Sequence, residues 1–161
     1  MTERAAALKQ PAIALTDHGN VHGAIEFYQS AQKVGVKPII GVEGYVAPGP
    51  RTERNSQERF PYHLTLLAQN HTGYQNILRL VTKGHLEGFY YRPRFDREIL
   101  EKHSEGVIVL SGCPSGELGR NIKNGADELT RETAGWYSEV FKDRYYLELM
   151  MHEPVREHPR A

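Results

Sequence analysis

Apolar positions along this chain fall into two spacings. Four short runs, Ala12-Ile-Ala-Leu15, Lys37-Pro-Ile-Ile-Gly41, His63-Leu-Thr-Leu-Leu67 and Gly106-Val-Ile-Val-Leu110, are bounded by Gly, Pro or Asp and predict buried strands. Between them the spacing is helical. Ala24, Ile25, Phe27, Tyr28, Ala31 and Val34 mark one face of a helix over 21–34, with Asn20 as its N-cap and Gly35 as its C′ residue. Tyr74, Ile77, Leu78 and Val81 mark a second over 73–83, capped by Asn70 or Thr72. Shorter helices are expected over 2–9, 96–102 and 117–123, and a longer one over 127–141. The strand over 37–46 is expected to break at Gly41 and Gly44, and 145–150 reads as a closing strand. The 48–61 segment, with Arg51, Glu53, Arg54, Glu58 and Arg59, reads as a solvated connection. The repeated strand-then-helix order predicts an α/β fold. Periodicity alone leaves a barrel and an open sheet both open.

Composition narrows this picture modestly. The 161 residues suit one domain or a piece of a larger one, and 39% hydrophobic with 25% charged residues supports a packed core. Lys+Arg and Asp+Glu are both 20, so any nucleic-acid-binding face must be local. One cysteine excludes an intrachain disulfide and suits a reducing compartment. With no signal-peptide pattern and no apolar run near 20 residues, a cytoplasmic protein without a membrane partner is expected. The chain enters its first strand after a short opening helix, and a closing strand followed by an abrupt polar stop after His152 reads as a truncated domain, with an ordinary frayed terminus as the plainer account.

The chemistry of interest sits at or beside the ends of the strand-like runs: His18, Glu43, His63 and Cys113. In folds built on parallel strands, groups at strand ends converge on one face. Imidazole, carboxylate and thiolate there can bind a cation such as zinc. Each residue has a plainer account. Asp17, His18 and Gly19 suit a cap and a turn, although an Asp beside a His can orient a metal-binding imidazole. Glu43 lies between glycines that would admit a metal or substrate, yet an edge strand would leave it in water. His63 alone is a satisfied histidine, and Cys113 alone is an inert buried thiol, a ligand or a nucleophile. Their recurrence at four strand ends favours a shared centre. His22 is a weaker candidate for the same site; His71, His85, His103, His152 and His158 are weaker still. In Gly88-Phe-Tyr-Tyr-Arg-Pro-Arg94, aromatics and arginines mix; a packed loop is the plain account, with a phosphate contact left open for Arg92 or Arg94. Trp136 reads as core or interface.

Several segments occur in order: Ala14-Leu-Thr-Asp-His-Gly-Asn20, Gly23-Ala-Ile-Glu-Phe-Tyr28, Lys37-Pro-Ile-Ile-Gly-Val-Glu43, His63-Leu-Thr-Leu-Leu-Ala68, Gly88-Phe-Tyr-Tyr91, Leu110-Ser-Gly-Cys113 and Tyr146-Leu-Glu-Leu149. Together they closely resemble the polymerase-and-histidinol-phosphatase (PHP) domain of bacterial replicative DNA polymerase III alpha subunits. The resemblance implies a distorted (β/α)7 barrel with up to three metals, commonly zinc, at the C-terminal ends of the strands. His18, Glu43, His63 and Cys113 match metal ligands, with Glu43 bridging, and Asp17 matches the acidic neighbour of the first. The family includes members with metal-dependent phosphoester hydrolysis, including 3′–5′ exonuclease activity, and members in which the domain is structural. Implied partners are DNA, the proofreading exonuclease and the sliding clamp.

Two family motifs are absent: the opening His-x-His and the late Asp-x-His. The expected state is a partial barrel inside a longer polymerase chain, with an incomplete site, no assigned catalytic residue, and weak or no hydrolysis by itself. Three metals cannot be held by four ligands; Glu43, His63 and Cys113 suit one site with water in the open position. The competing readings are a free phosphoesterase of histidinol-phosphatase type and a non-catalytic scaffold for replication subunits.

Overall fold

The structure, a computed structural model, describes residues 1–56 and 59–150. Glu58, His152 and His158 lie outside the described residues. The strands are β1 (Ala12–His18), β2 (Lys37–Val46), β3 (Tyr62–Ala68), β4 (Arg94–Phe95), β5 (Val107–Leu110) and β6 (Tyr145–Tyr146). The helices are α1 (Thr2–Ala7), α2 (Ala24–Lys33), α3 (His71–Leu86), α4 (Arg97–Lys102), α5 (Glu117–Lys123) and α6 (Asp127–Phe141). The fold is therefore mixed α/β, as the apolar spacing predicts.

Among the described residues the strands form one sheet in the order β1-β2-β3-β5-β6, and β4 also pairs with β2. β1 and β2 are parallel, as are β2 and β4, and β5 and β6, but β3 runs antiparallel to both of its neighbours. The sheet is therefore mixed. The 47–61 connection returns the chain to the end of β2 where that strand finished, so β3 must run backwards. β4 takes the stretch of β2 at Tyr45 and Val46, beyond the point where β1 stops pairing.

The core is built from alternate strand positions and one helical stripe. Val42, Val46, Leu64, Leu66, Val107 and Val109 meet Ile77 and Leu80 of α3, Ile99 and Leu100 of α4, and Phe95, Tyr137 and Phe141. α3 starts where Asn70 accepts the Gly73 N–H, and α4 starts where Asp96 accepts the Ile99 N–H. Asn20 does not cap α2. Its side chain accepts the His22 N–H in a turn, and α2 begins after Gly23, whose N–H is taken by Asp17.

Two strand expectations are corrected. β2 is continuous through Gly41 and Gly44. A Cβ at Gly41 would lie 2.4 Å from the Leu66 carbonyl oxygen, and one at Gly44 would lie 2.2 Å from Phe95 Cζ. These glycines admit neighbouring protein groups rather than a ligand, and they let the Phe95 ring lie directly against the strand. β6 is short because β5 ends at Leu110 and its chain then turns towards His63; beyond Tyr146 the Glu148 N–H donates to Ser111 Oγ, a side chain, and the strand ladder does not continue.

The 48–56 stretch is tied down, not solvated throughout. The Arg51 side chain bridges Glu87, Asp96 and Glu98, and Asp96 also accepts the Arg51 N–H. Burial pulls the Arg51 guanidinium down, but hydrogen bonds to the three carboxylates outweigh it and hold its pKa above the usual value.

Under α6, Tyr145 stacks on Tyr137, its hydroxyl buried without a hydrogen-bond partner. Burial first, and then the Glu117 carboxylate, push the Tyr145 phenol up to about 12. An unfolded tyrosine ionises near ~10. The folded state thus retains its proton where the unfolded state loses it, so this contribution is intact below about pH 10 and fades as pH climbs towards 12. Tyr145→Phe is expected to soften the alkaline loss of stability while leaving stability at pH 8 within about 1 kcal/mol, because no hydrogen bond is removed. Urea midpoints between pH 8 and 11 check this; parallel wild-type and variant curves contradict it.

Candidate metal centre

The reversal of β3 assembles the site. His18 ends β1 and pairs in register with Glu43 of β2. Glu43 and Tyr45 are two residues apart on one strand and so share a face. His63, at the start of antiparallel β3, pairs opposite Tyr45, which carries it onto that same face. A residue opening one strand therefore meets residues near the ends of two others.

Glu43 stands between the imidazoles. Its Oε1 lies 2.7 Å from His63 Nδ1 and its Oε2 lies 3.4 Å from His18 Nε2. Cys113 arrives by loop geometry. Gly112 has φ +82°, and a Cβ there would sit 2.8 Å from the His63 carbonyl oxygen. Only glycine accepts both the left-handed conformation and that approach. The next residue places Cys113 Sγ 3.7 Å from His63 Nδ1, and the Ser115 N–H donates to the same sulfur at 3.4 Å. His18, Glu43, His63 and Cys113 thus form one chain of contacts, open to solvent at the His18 end, where the side chain is 69% exposed.

The donor types, two imidazoles, a carboxylate and a thiol, fit zinc or a similar divalent ion. Their present arrangement is pairwise. Among the described residues no three His, Cys, Asp or Glu side chains are grouped so as to hold a metal ion. His63 Nδ1 is the atom that faces both Glu43 and Cys113. Metal binding there would release the proton that His63 shares with Glu43.

Other sequence candidates are placed differently. Asp17 alternates to the opposite face from His18, and its carboxylate accepts the Gly23 N–H at 3.1 Å. It caps α2 instead of orienting the His18 ring, which corrects that expectation. Arg94 is fully buried, its guanidinium donating to the carbonyls of Gly88, Arg51 and Glu53, so the phosphate contact considered for it is corrected as well. Arg92 is exposed and lies over the Tyr45 ring at 5.7 Å. His22 is exposed before α2, and His85 faces the Gly19 carbonyl at 3.0 Å; neither meets Glu43. His103 is the C-cap of α4; its Nε2 is buried without a hydrogen-bond partner, and burial followed by Arg79 lowers its pKa. Sequence reasoning missed Tyr45, which meets the His63 ring edge-on at 5.4 Å. The period-2 spacing from Glu43 is the signal that could have found it.

The family described as "PHP domain" matches residues 1–152. The chain belongs to the PHP domain family. Its similarity extends to longer proteins named "DNA polymerase III subunit alpha". That of Deinococcus radiodurans is 46% identical over 147 residues, covering 88% of this chain and 11% of the relative. That of Thermus aquaticus is 46% identical over 147 residues, covering 89% and 12%. That of Borreliella burgdorferi is 47% identical over 142 residues, covering 87% and 12%. This PHP-domain region is therefore homologous to polymerase III alpha subunits while spanning about an eighth or less of their length. Among the described residues no helix is long and apolar enough to cross a membrane.

Proposed function

We propose that this PHP domain is a segment of a bacterial replicative DNA polymerase, that it serves DNA replication, and that its face carrying Glu43 and His63 is a phosphoester site built for one divalent cation. The observation that carries the polymerase reading is the 46% identity to polymerase III alpha subunits across nearly nine-tenths of the chain. The parent activity is DNA-directed nucleotidyl transfer, with DNA, a proofreading exonuclease and a sliding clamp as partners, in the cytoplasm. The described sheet is the part of a distorted (β/α)7 barrel that this segment contributes. A free phosphoesterase of histidinol-phosphatase type is the less favoured reading, because the relatives named above are polymerase subunits.

For the cation, Glu43, His63 and Cys113 are the holding residues, with His18 at the open side and zinc as the leading candidate. Bound there, the metal would acidify a water for phosphoester hydrolysis, including the 3′–5′ exonuclease reaction. The protein's own part is to orient: Glu43 aligns both imidazoles, Gly112 delivers Cys113, and the edge-on Tyr45 ring fixes the plane of His63. The direct contact of Glu43 with His63, made between protein groups alone, supports a second reading, a non-catalytic scaffold for replication subunits.

Metal content decides between the two. Full-length protein purified without chelator is expected to carry about one zinc, manganese or iron per chain, falling several-fold in Glu43→Ala and His63→Ala. Wild-type protein free of all three metals leaves the scaffold. Loss of primer extension by the full-length protein as a whole would instead overturn the polymerase reading.

A further inference from the structure

A cleft of about 290 Å³ opens beside the metal-type site and shares His63 with it. Tyr45, Arg92, Tyr91, Arg59 and Phe60 line its mouth together with Pro61 and Arg120. Tyr91 and Phe60 are 59% and 63% exposed, large aromatic areas left in water. Arg59 lies 4.9 Å from the Tyr91 ring centre and 5.6 Å from that of Phe60. Arg92 stands over Tyr45, whose own ring touches His63. Arg120 lines the cleft as well and serves the loop. Its guanidinium donates to the Phe60 and Pro61 carbonyls and lies over Tyr62, pinning the segment that presents Phe60.

The backbone at Tyr91 is the second observation. Tyr91 is the tip of a tight turn in which the Tyr90 N–H donates to the Arg92 carbonyl, and its φ is +59°. Glycine takes that conformation freely, whereas a bulky side chain rarely does. The Tyr91 ring meets Tyr90 edge-on at 4.7 Å yet remains 59% exposed, and strain of this kind concentrates at binding sites. A planar ring, the guanidinium groups of Arg59 and Arg92 and a neighbouring phosphoester-type centre are the components that recognise a nucleotide unit: stacking for the base, charge for the phosphate.

We infer that this cleft binds an end of single-stranded nucleic acid, its base stacked on Tyr91 or Phe60 and its phosphate drawn to Arg92 and Arg59 beside His63. The volume admits one nucleotide-sized group at a time. The inference deepens the phosphoester reading and rests on it for what happens to the phosphate, but binding itself requires no hydrolysis.

The test is photocrosslinking of the full-length protein to deoxythymidine tetramers ending in 5-iodouracil, with a uridine series alongside, all in excess chelator so that no metal acts. Crosslinks of either sugar series mapping to Tyr91 or Phe60 are expected. Tyr91→Gly relieves the left-handed strain, so its thermal unfolding is expected to be unchanged or raised while tetramer affinity falls about fivefold or more. Tyr91→Phe keeps the ring and is expected to bind normally. Arg92→Gln is expected to reduce the slope of log affinity against log salt by about 0.7. Crosslinks confined to other parts of the protein, wild-type affinity in Tyr91→Gly, or inorganic phosphate competing as well as thymidine monophosphate would each overturn the inference. Capture at Tyr91 by a protein found to carry no metal would leave this inference standing and remove the hydrolytic reading alone.

Discussion

Arg94→Met is expected to destabilise the protein by about 3–5 kcal/mol and to lower its melting temperature by roughly 10 °C. Arg94 is the largest fully buried side chain of the described residues. It donates to the Gly88 carbonyl at 3.0 Å, to the Arg51 carbonyl at 3.0 Å and to the Glu53 carbonyl at 2.7 Å, and it lies over the Tyr90 ring at 5.3 Å. Met has a similar reach but no donors, so those acceptors lose a charged partner. Each lost bond to a charged group is worth about 1.5–3 kcal/mol, not fully additive. The effect should spread, because the carbonyls at 51 and 53 belong to the connection leading to Arg59 and Phe60. Calorimetry checks the stability; a melting temperature within about 2 °C of wild type would mean the carbonyls find water instead.

Gly73→Ala is the second large effect. A Cβ at Gly73 would fall 1.7 Å from the Gly106 carbonyl oxygen and 2.5 Å from its carbonyl carbon. Both are backbone, so no side chain can swing aside. The same carbonyl accepts the Gln69 N–H, and Asn70 caps the Gly73 N–H, so moving one side of the contact disturbs both. The start of α3 and the turn into β5 must separate, at an expected loss of about 3 kcal/mol or more, beyond the usual overpacking range. Because β5 leads to the Gly112–Cys113 loop, the Cys113–His63 contact should loosen as well. Denaturant unfolding measures the first effect and the rate of thiol alkylation at Cys113 the second. Unchanged values for both would refute the placement of these two glycines.

The element pattern was readable because it depends on short-range physics. β-branched runs bounded by turn residues became β1, β2, β3 and β5, and helical apolar stripes became α2, α3 and α6. Asn70 and Asp96 cap as their side chains allow, and Gly35 follows α2 with φ +73°. Two-residue β4 was not readable, since a pair such as Arg94-Phe95 carries no periodicity; it exists because β2 has a free edge beyond β1. The glycines around Glu43 misled for a related reason. Glycine signals close approach, but sequence does not say by what, and here the neighbours are Leu66 and Phe95.

The sequence alone determined the α/β element order, the donor types at His18, Glu43, His63 and Cys113, and the family resemblance, because residue chemistry and spacing are local properties. Only the tertiary structure decided strand direction, and with it which of those donors meet. Asp17 and His18 are neighbours in sequence yet face opposite sides of β1, whereas Tyr45 and His63, far apart in sequence, touch across an antiparallel ladder. Long-range pairing is set by burial of whole faces, which buries Arg94 and leaves nearby Tyr91 in water.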